Sequence, residues 1–242
     1  MTVDCTACPL RKNALFSPMT EEEVAFMRRF KTGELQVTGG TQILLEGSGA
    51  AQLYTCLSGH GLRYKTLSNG RRQVVSFVLP GDFIGLQASV MGEMHHSVES
   101  TTDMTLCVFN RADIWTLFKS FPTRAFDLTF LAAVEEHFLG EALATVGQKG
   151  AFEKLAWSLH RFFTRADAVG LVRGAQCPLP YRQQDLADAL GLSLVHTNKT
   201  LARLRGQGLA DWSDGRLTVP DVAALAEAGL VDAARMQTRP LI

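Results

Sequence analysis

The spacing of apolar residues changes along the chain. Between Gly33 and Phe109 they fall in short runs rich in Val, Ile, Leu, Phe and Tyr, punctuated by glycines. Short strands at such regular spacing predict an all-β barrel or sandwich. Leu62 to Leu67 and Arg71 to Leu79 flank Ser68-Asn69-Gly70, and Asn-Gly is the strongest short hairpin signal. After Asn110 the spacing becomes helical. Ile114, Trp115 and Phe118 predict a short helix ending near Pro122. A long helix comes next over Arg124 to Gln148, with Leu131, Val134, Phe138, Ala142, Thr145 and Val146 in one stripe. That stripe can pack on its own barrel or pair with a second copy as a coiled coil. Phe152 to Arg165 reads as a further helix, and Gln176 to Pro180 as a link. Ahead of the strands, Thr20 and Glu23 form a capping-box pair that starts a helix running to Phe30. The tail after Gly229 is polar and is expected to fray.

The stretch Arg182 to Leu209 carries the most specific pattern. A short helical run (Leu186, Ala187, Ala189, Leu190) meets Gly191, and a second (Leu194, Leu201, Leu204) ends at Gly206 and Gly208. Glycine at 191 permits the tight bend between crossed helices, and Ser193 can cap the second helix. This is a helix-turn-helix, whose second helix enters the major groove of DNA. His196, Asn198, Lys199 and Arg203 give that helix a polar face, with Leu194, Leu201 and Leu204 directed to the core. Asn can read adenine, and Lys and Arg can reach guanine or phosphate. A plain amphipathic surface helix would also be polar on one side. The residues beyond Leu209 favour the DNA reading: Trp212 in a short apolar run, the turn signal Asp214-Gly215, and a returning strand Arg216 to Val219. Together these predict a winged helix and double-stranded DNA as partner.

Composition narrows the class. With 242 residues and 46 % hydrophobic content, the chain has material for one large or two ordinary domains. No uncharged apolar run approaches the roughly 20 residues of a membrane span, and the first residues lack an apolar signal core, so a cytoplasmic location without membrane partners is expected. The formal net charge of zero suits a sequence-specific binder with modest non-specific affinity. Five cysteines at irregular spacing argue against a secreted disulfide scaffold. No Ser-His-Asp order, phosphate loop or paired carboxylates point to an enzyme.

Barrel, long helix and winged helix in this order resemble the CRP/FNR family of bacterial transcription regulators. The resemblance is carried by Gly59 through Tyr64, Asn69-Gly70-Arg71-Arg72-Gln73, the turn Leu79-Pro80-Gly81-Asp82-Phe83-Ile84-Gly85, and Asp185-Leu186-Ala187 through Leu192-Ser193. It implies an α+β chain in four parts. These are a cysteine-bearing arm over 1–19, a β-barrel sensor domain of the cyclic-nucleotide-binding jelly-roll type over 20–122, a dimerisation helix over 123–149 and a winged helix over 150–242. It also implies a homodimer on a two-fold symmetric DNA site, with RNA polymerase as a further partner. The family carries Glu and Arg where this chain has Val195 and Lys199. Val can meet a thymine methyl, and Lys is a point charge rather than a fork. Val195, His196, Asn198 and Lys199 are therefore the candidate base readers, with a phosphate or solvent contact the alternative for His196. Arg182, Gln184, Ser193, Thr197 and Arg203 are the candidate phosphate contacts.

The resemblance raises two effectors. In the cAMP-binding branch an Arg-Ser pair holds the cyclic phosphate and a Glu holds the ribose. Here the pair is His96-Ser97 and Gly85 is followed by Leu86-Gln87, so cAMP binding is not expected. The FNR branch holds a [4Fe–4S] cluster through four cysteines. Cys5, Cys8 and Cys107 match three of them, and the position near Ala14 lacks the fourth. Asp4, His95 and His96 are unranked substitutes. A cluster, zinc or another metal, or a non-metal role for the thiols all remain open. Haem bound by His60, His95 or His96 is a further alternative, as is a constitutive regulator without effector. Cys56 reads as a core thiol. Cys177, just before the helix-turn-helix, is either an oxidisable thiol acting on DNA binding or a packed linker residue.

Overall fold

The computed structural model describes residues 2–231 and 237–242. The chain forms two compact units. Met1–Lys65, Phe77–Glu136 and Gln237–Ile242 make the first, and Thr66–Ser76 with His137–Met236 make the second.

In the first unit, helix α1 (Glu21–Phe30) starts as predicted. Thr20 accepts from the Glu23 backbone N–H at 3.2 Å, and the Glu23 carboxylate accepts from the Thr20 N–H at 2.8 Å. The strands are β1 (Lys31–Val37), β2 (Gln42–Leu44), β3 (Gln52–Ser58), β4 (Gly61–Thr66), β5 (Arg72–Val78, of which 72–76 count with the second unit) and β6 (Phe83–Ile84). After helix α2 (Leu86–Met91) come β7 (Ser97–Ser100) and β8 (Met104–Asn110). They build two four-stranded sheets, ordered β1-β8-β3-β6 and β2-β7-β4-β5. Tyr54, Cys56 and Leu106 from one sheet share a core with Leu44, Val78 and Val98 from the other. The predicted jelly roll is thus a two-sheet sandwich, and Cys56 is a core thiol with 0 % exposure. Gly70 takes φ +79°, as the Asn-Gly hairpin between β4 and β5 requires.

Helix α3 (Ile114–Ser120) leads to α4 (Pro122–Gln148). Most of the predicted stripe on α4 is used inward, but Val134 is exposed at 36 %. Leu128 and Leu131 join the core around Phe26, Phe30 and Phe109, Thr145 is buried, and Phe138 stacks on Trp157. A second apolar set stays outside: Ala132, Leu139 and Leu143 are exposed, Leu143 at 75 %.

One expectation fails here. The tail does not fray where it is described: Pro240, Leu241 and Ile242 are buried in the first unit, and Ile242 belongs to the core of Phe26 and Phe109. The division at 150–242 therefore assigns its last six residues to the wrong unit. Burying two large aliphatic side chains outweighs the polar composition that suggested fraying. The remainder of that tail, 232–236, lies outside the described residues.

The second unit contains α5 (Ala151–Ala168), β9 (Gln176–Pro178), α6 (Gln183–Leu190), α7 (Leu194–Gly206), β10 (Asp211–Ser213), β11 (Arg216–Thr218) and α8 (Val222–Ala228). The stretch read as a link is in fact β9, which pairs antiparallel with β11 and completes a three-stranded wing sheet. At the wing turn, Asp214 and Gly215 have φ +50° and +70°, the paired left-handed geometry of a two-residue hairpin. The hairpin tip 66–76 counts with this unit because Arg72 and Gln73 bond to α6.

Candidate nucleic-acid interface

Local chemistry sets the bend between α6 and α7. Gly191 ends α6 at φ +65°, where an L side chain would be strained, and its backbone N–H donates to Ala187. Ser193 then caps α7, its hydroxyl accepting from the His196 N–H at 3.2 Å. Helix α7 packs on α5 and α6. Its inward row is Thr197, Thr200, Leu201 and Leu204. Leu194, assigned to the core from its spacing, lies on the same row at the first helical position and stays 40 % exposed.

The outward face holds Val195, His196, Asn198, Lys199 and Arg203, all exposed. The four candidate base readers thus share one accessible surface. Val195 is 66 % exposed. The guanidinium of Arg203 lies 4.2 Å from the Phe152 ring centroid, which orders it at the helix flank.

The candidate phosphate contacts divide. Gln184 is exposed at the start of α6, where its amide donates to Asp188 at 2.6 Å. Arg182 is 69 % exposed in its side chain, with its guanidinium 3.0 Å from Asp185. Ser193 is exposed, but its hydroxyl serves the cap. Thr197 is the exception. It is 0 % exposed on the inward row, and its hydroxyl has no hydrogen-bond partner among the described residues. It cannot meet a phosphate without repacking the helix, so that assignment is corrected. Two further cations flank the motif, neither among the candidate contacts: Arg205, paired with Asp211 at 3.3 Å, and exposed Arg216 beside the wing turn. Their position after the second helix and beside Asp214-Gly215 was the available signal.

Asp185 anchors the whole motif. Its carboxylate is 2 % exposed and accepts from the Arg182 backbone N–H at 2.8 Å, the Arg182 guanidinium and Arg72 of β5. Arg72 also reaches Asp188 at 3.0 Å. Burial pushes the Asp185 carboxyl up, but the hydrogen bonds from Arg182 and Arg72 outweigh it and leave the pKa below 3.8.

The cysteines behave differently from reactive thiols. Cys177 is 0 % exposed in β9 opposite Leu217, and burial, with Asp167 nearby, pushes its thiol up to about 12. That is the direction of an inert packed thiol. Cys5 and Cys8 lie close enough to Cys107 to raise its thiol pKa. Burial raises Cys5, and pushes Cys107 up to about 11. Beside them the Lys31 ammonium donates to Glu34 and to the Val3 carbonyl, both at 2.6 Å, and Glu34 accepts from the Val3 N–H at 2.8 Å. Asp4 caps the first turn of the arm and pairs with Arg28 at 3.0 Å. His96 feels Arg63, Glu135, Lys65 and Glu46 rather than these thiols. Among the described residues no three His, Cys, Asp or Glu side chains are placed to share a metal ion. The donor set is one thiolate short of a [4Fe–4S] site, and the Val3 backbone N–H and carbonyl of the arm already bond to Glu34 and Lys31 of β1. These residues do not fit the cluster.

The sandwich does not offer a cyclic phosphate its guanidinium either. Burial, then Arg63, depress the His96 pKa to about 4, so its imidazole is neutral at neutral pH. Arg63 is buried and pairs with Glu135 of α4 at 2.8 Å. Gln87 accepts from the His95 N–H at 3.1 Å, and Ser97 from the Glu46 N–H at 3.0 Å.

Comparison with known proteins decides the family. The family model of the cyclic nucleotide-binding domain matches residues 34–121, and that of the Crp-like helix-turn-helix domain matches 153–228. The nitrogen fixation regulation protein FixK of Bradyrhizobium diazoefficiens is 30 % identical over 231 residues, covering 93 % of this chain and 94 % of that one. The chain belongs to the CRP/FNR family. The transcriptional activator protein FnrL of Cereibacter sphaeroides is 28 % identical over 228 residues, covering 92 % of this chain and 90 % of that one. The solved structure of FixK2 from Bradyrhizobium japonicum shares the fold at a TM-score of 0.72 and 24 % identity, over 84 % of this chain and 98 % of that one. This member is a DNA-binding transcription regulator of the FixK/FNR type and not an enzyme. No helix among the described residues is long and apolar enough to cross a membrane.

Proposed function

We propose that two copies pair along α4 and present both α7 helices to a two-fold symmetric DNA site. The observation that carries the reading is the outward set Val195, His196, Asn198 and Lys199 on a helix fixed by the Ser193 cap and the Asp185 anchor. Pairing is supported by Ala132, Leu139 and Leu143, an exposed apolar row with spacings of seven and four residues that suits a helix–helix seam. In the groove, Asn198 suits adenine, Lys199 suits guanine, and Val195 suits a thymine methyl. Arg182, Gln184 and Arg203 flank this set as phosphate contacts, and RNA polymerase is the partner the family suggests. Footprinting on duplex DNA with excess random competitor tests the reading. Lys199→Ala is expected to weaken the specific complex by about 1–3 kcal/mol, near 5- to 150-fold. Unchanged affinity and specificity would remove α7 from the interface.

The effector reading best supported is a regulator that uses neither cAMP nor an iron–sulfur cluster. It rests on the Lys31–Glu34 clamp beside three thiols and on His96 at the phosphate position. Two results would reverse it. One is an iron–sulfur absorption band with iron and sulfide after anaerobic purification, bleaching in air. The other is a cAMP-dependent gain in DNA affinity. A Soret band would instead favour haem on His60, His95 or His96.

A further inference from the structure

We infer that the first unit carries a peptide seat, filled in cis by Arg239–Ile242, and that filling it couples the N-terminal arm to the first turn of α4. The segment contains no helix or strand, apart from one bridge between Arg239 and Phe16. Its order therefore comes from the surface that receives it. Four sets of contacts define that surface. The Arg239 guanidinium meets Asp82 Oδ1 through two nitrogens at 3.1 and 3.0 Å, and Asp82 is 4 % exposed. The Arg239 N–H donates to the Leu15 carbonyl and the Ser17 N–H donates to the Arg239 carbonyl, each at 2.9 Å. Arg124, 2 % exposed at the start of α4, donates to the Leu241 carbonyl, and Thr55, 1 % exposed on β3, donates to the Ile242 carbonyl. Finally, the Ile242 side chain enters the core.

These contacts set the chemistry of the occupant. Asp82 selects a cation at the first position, and its forked contact suits a guanidinium over an ammonium. Proline donates no hydrogen bond, and Pro240 gives none here. The next two carbonyls satisfy buried donors on α4 and β3, which would otherwise carry a desolvation cost. Two aliphatic side chains complete the ligand. The seat therefore takes a basic–proline–aliphatic–aliphatic peptide, read by main-chain bonds with pockets for side chains.

Coupling rests on the same bonds. Phe16 of the arm lies under the Arg239 guanidinium, 5.4 Å from its ring centroid, and against Gly81 of the Pro-Gly-Asp turn. A Cβ at Gly81 would fall 2.2 Å from the Phe16 ring, so this approach needs glycine. One four-residue segment thus bonds the arm at Leu15 and Ser17 and α4 at Arg124.

Hydrogen exchange on the full chain tests this. Arg239→Ala is expected to speed exchange at least tenfold at the Ser17 amide of the arm and at the Ala125 amide of α4. No change at Ser17 overturns the seat, and a change at Ser17 with none at Ala125 overturns the coupling. A second arm uses a variant lacking Gln237–Ile242 and the synthetic peptide Gln-Thr-Arg-Pro-Leu-Ile. Saturable binding with recovery of the slow Ser17 exchange is expected, and no binding by a peptide with Glu in place of Arg. Equal binding of both peptides, or a deletion that leaves Ser17 exchange unchanged, overturns the seat.

Discussion

Helix α7 and the segment Arg239–Ile242 are both short, and both bear on function, but they are held in opposite ways. Helix α7 carries its own instructions: a serine cap, an inward row at spacings of three and four, and a polar face left over for a partner. The C-terminal segment has almost no internal structure. It is ordered by Asp82, Leu15, Ser17, Arg124 and Thr55, residues distributed over the arm, a turn, a strand and a helix. A helix can keep its functional face while its neighbours vary. A docked segment has a place only while every contributor is in register.

The largest test of this contrast is Ile242→Ala. Truncating a buried aliphatic side chain costs about 2–5 kcal/mol. Calorimetry should show that loss in the first unit's transition, with DNA recognition by α7 intact in the folded protein. An unshifted transition would return the segment to a trailing tail. Next comes Asp185→Asn, which removes the charge that Arg182 and Arg72 share. A cost of about 2 kcal/mol is expected in the second unit. Because the folded carboxyl titrates below 3.8, its contribution is present above that pH and lost as pH falls through the folded value. Asparagine should flatten that part of the acid limb, and an identical acid limb would remove Asp185 from the anchor.

A smaller effect concerns the first unit in mild acid. Burial depresses His60 and His96 from 6.5 to about 4. The unfolded chain then binds more protons over this interval, so stability falls as pH drops from 6.5 towards 4. Each imidazole contributes at most about 1.4 kcal/mol per pH unit. His60→Asn and His96→Asn should each reduce the slope, and a slope that survives both replacements would point to other groups. The smallest effect sharpens the view of α7. Thr197→Val removes a buried hydroxyl with no partner among the described residues and should stabilise the second unit by about 1 kcal/mol, leaving DNA affinity unchanged. A loss of affinity would restore Thr197 to the interface.

Much of the architecture was legible because its signals are local. Thr20 with Glu23, Asn69-Gly70, Gly191, Ser193 and Asp214-Gly215 each act within a few residues, through a cap or a positive φ. The candidate base-reading face was legible for the same reason, since helical periodicity alone turns Asn198 and Lys199 away from Leu201. Thr197 was misread because a threonine suits either side of a helix, and only packing on α5 and α6 decides. Strand β9 was misread because three residues carry no periodicity and acquire a ladder only from β11.

The sequence by itself thus determined the order of sandwich, long helix and winged helix, and the motif that meets DNA. Tertiary structure alone decided which face of α4 entered the core, that Arg72 anchors Asp185 from 113 residues away, and that Ile242 ends beside Thr55 across 187 residues. The physical reason is range. Caps, turns and periodicities are satisfied by neighbours in the chain, whereas a buried charge or an aliphatic residue in a core takes whatever partner folding brings to it.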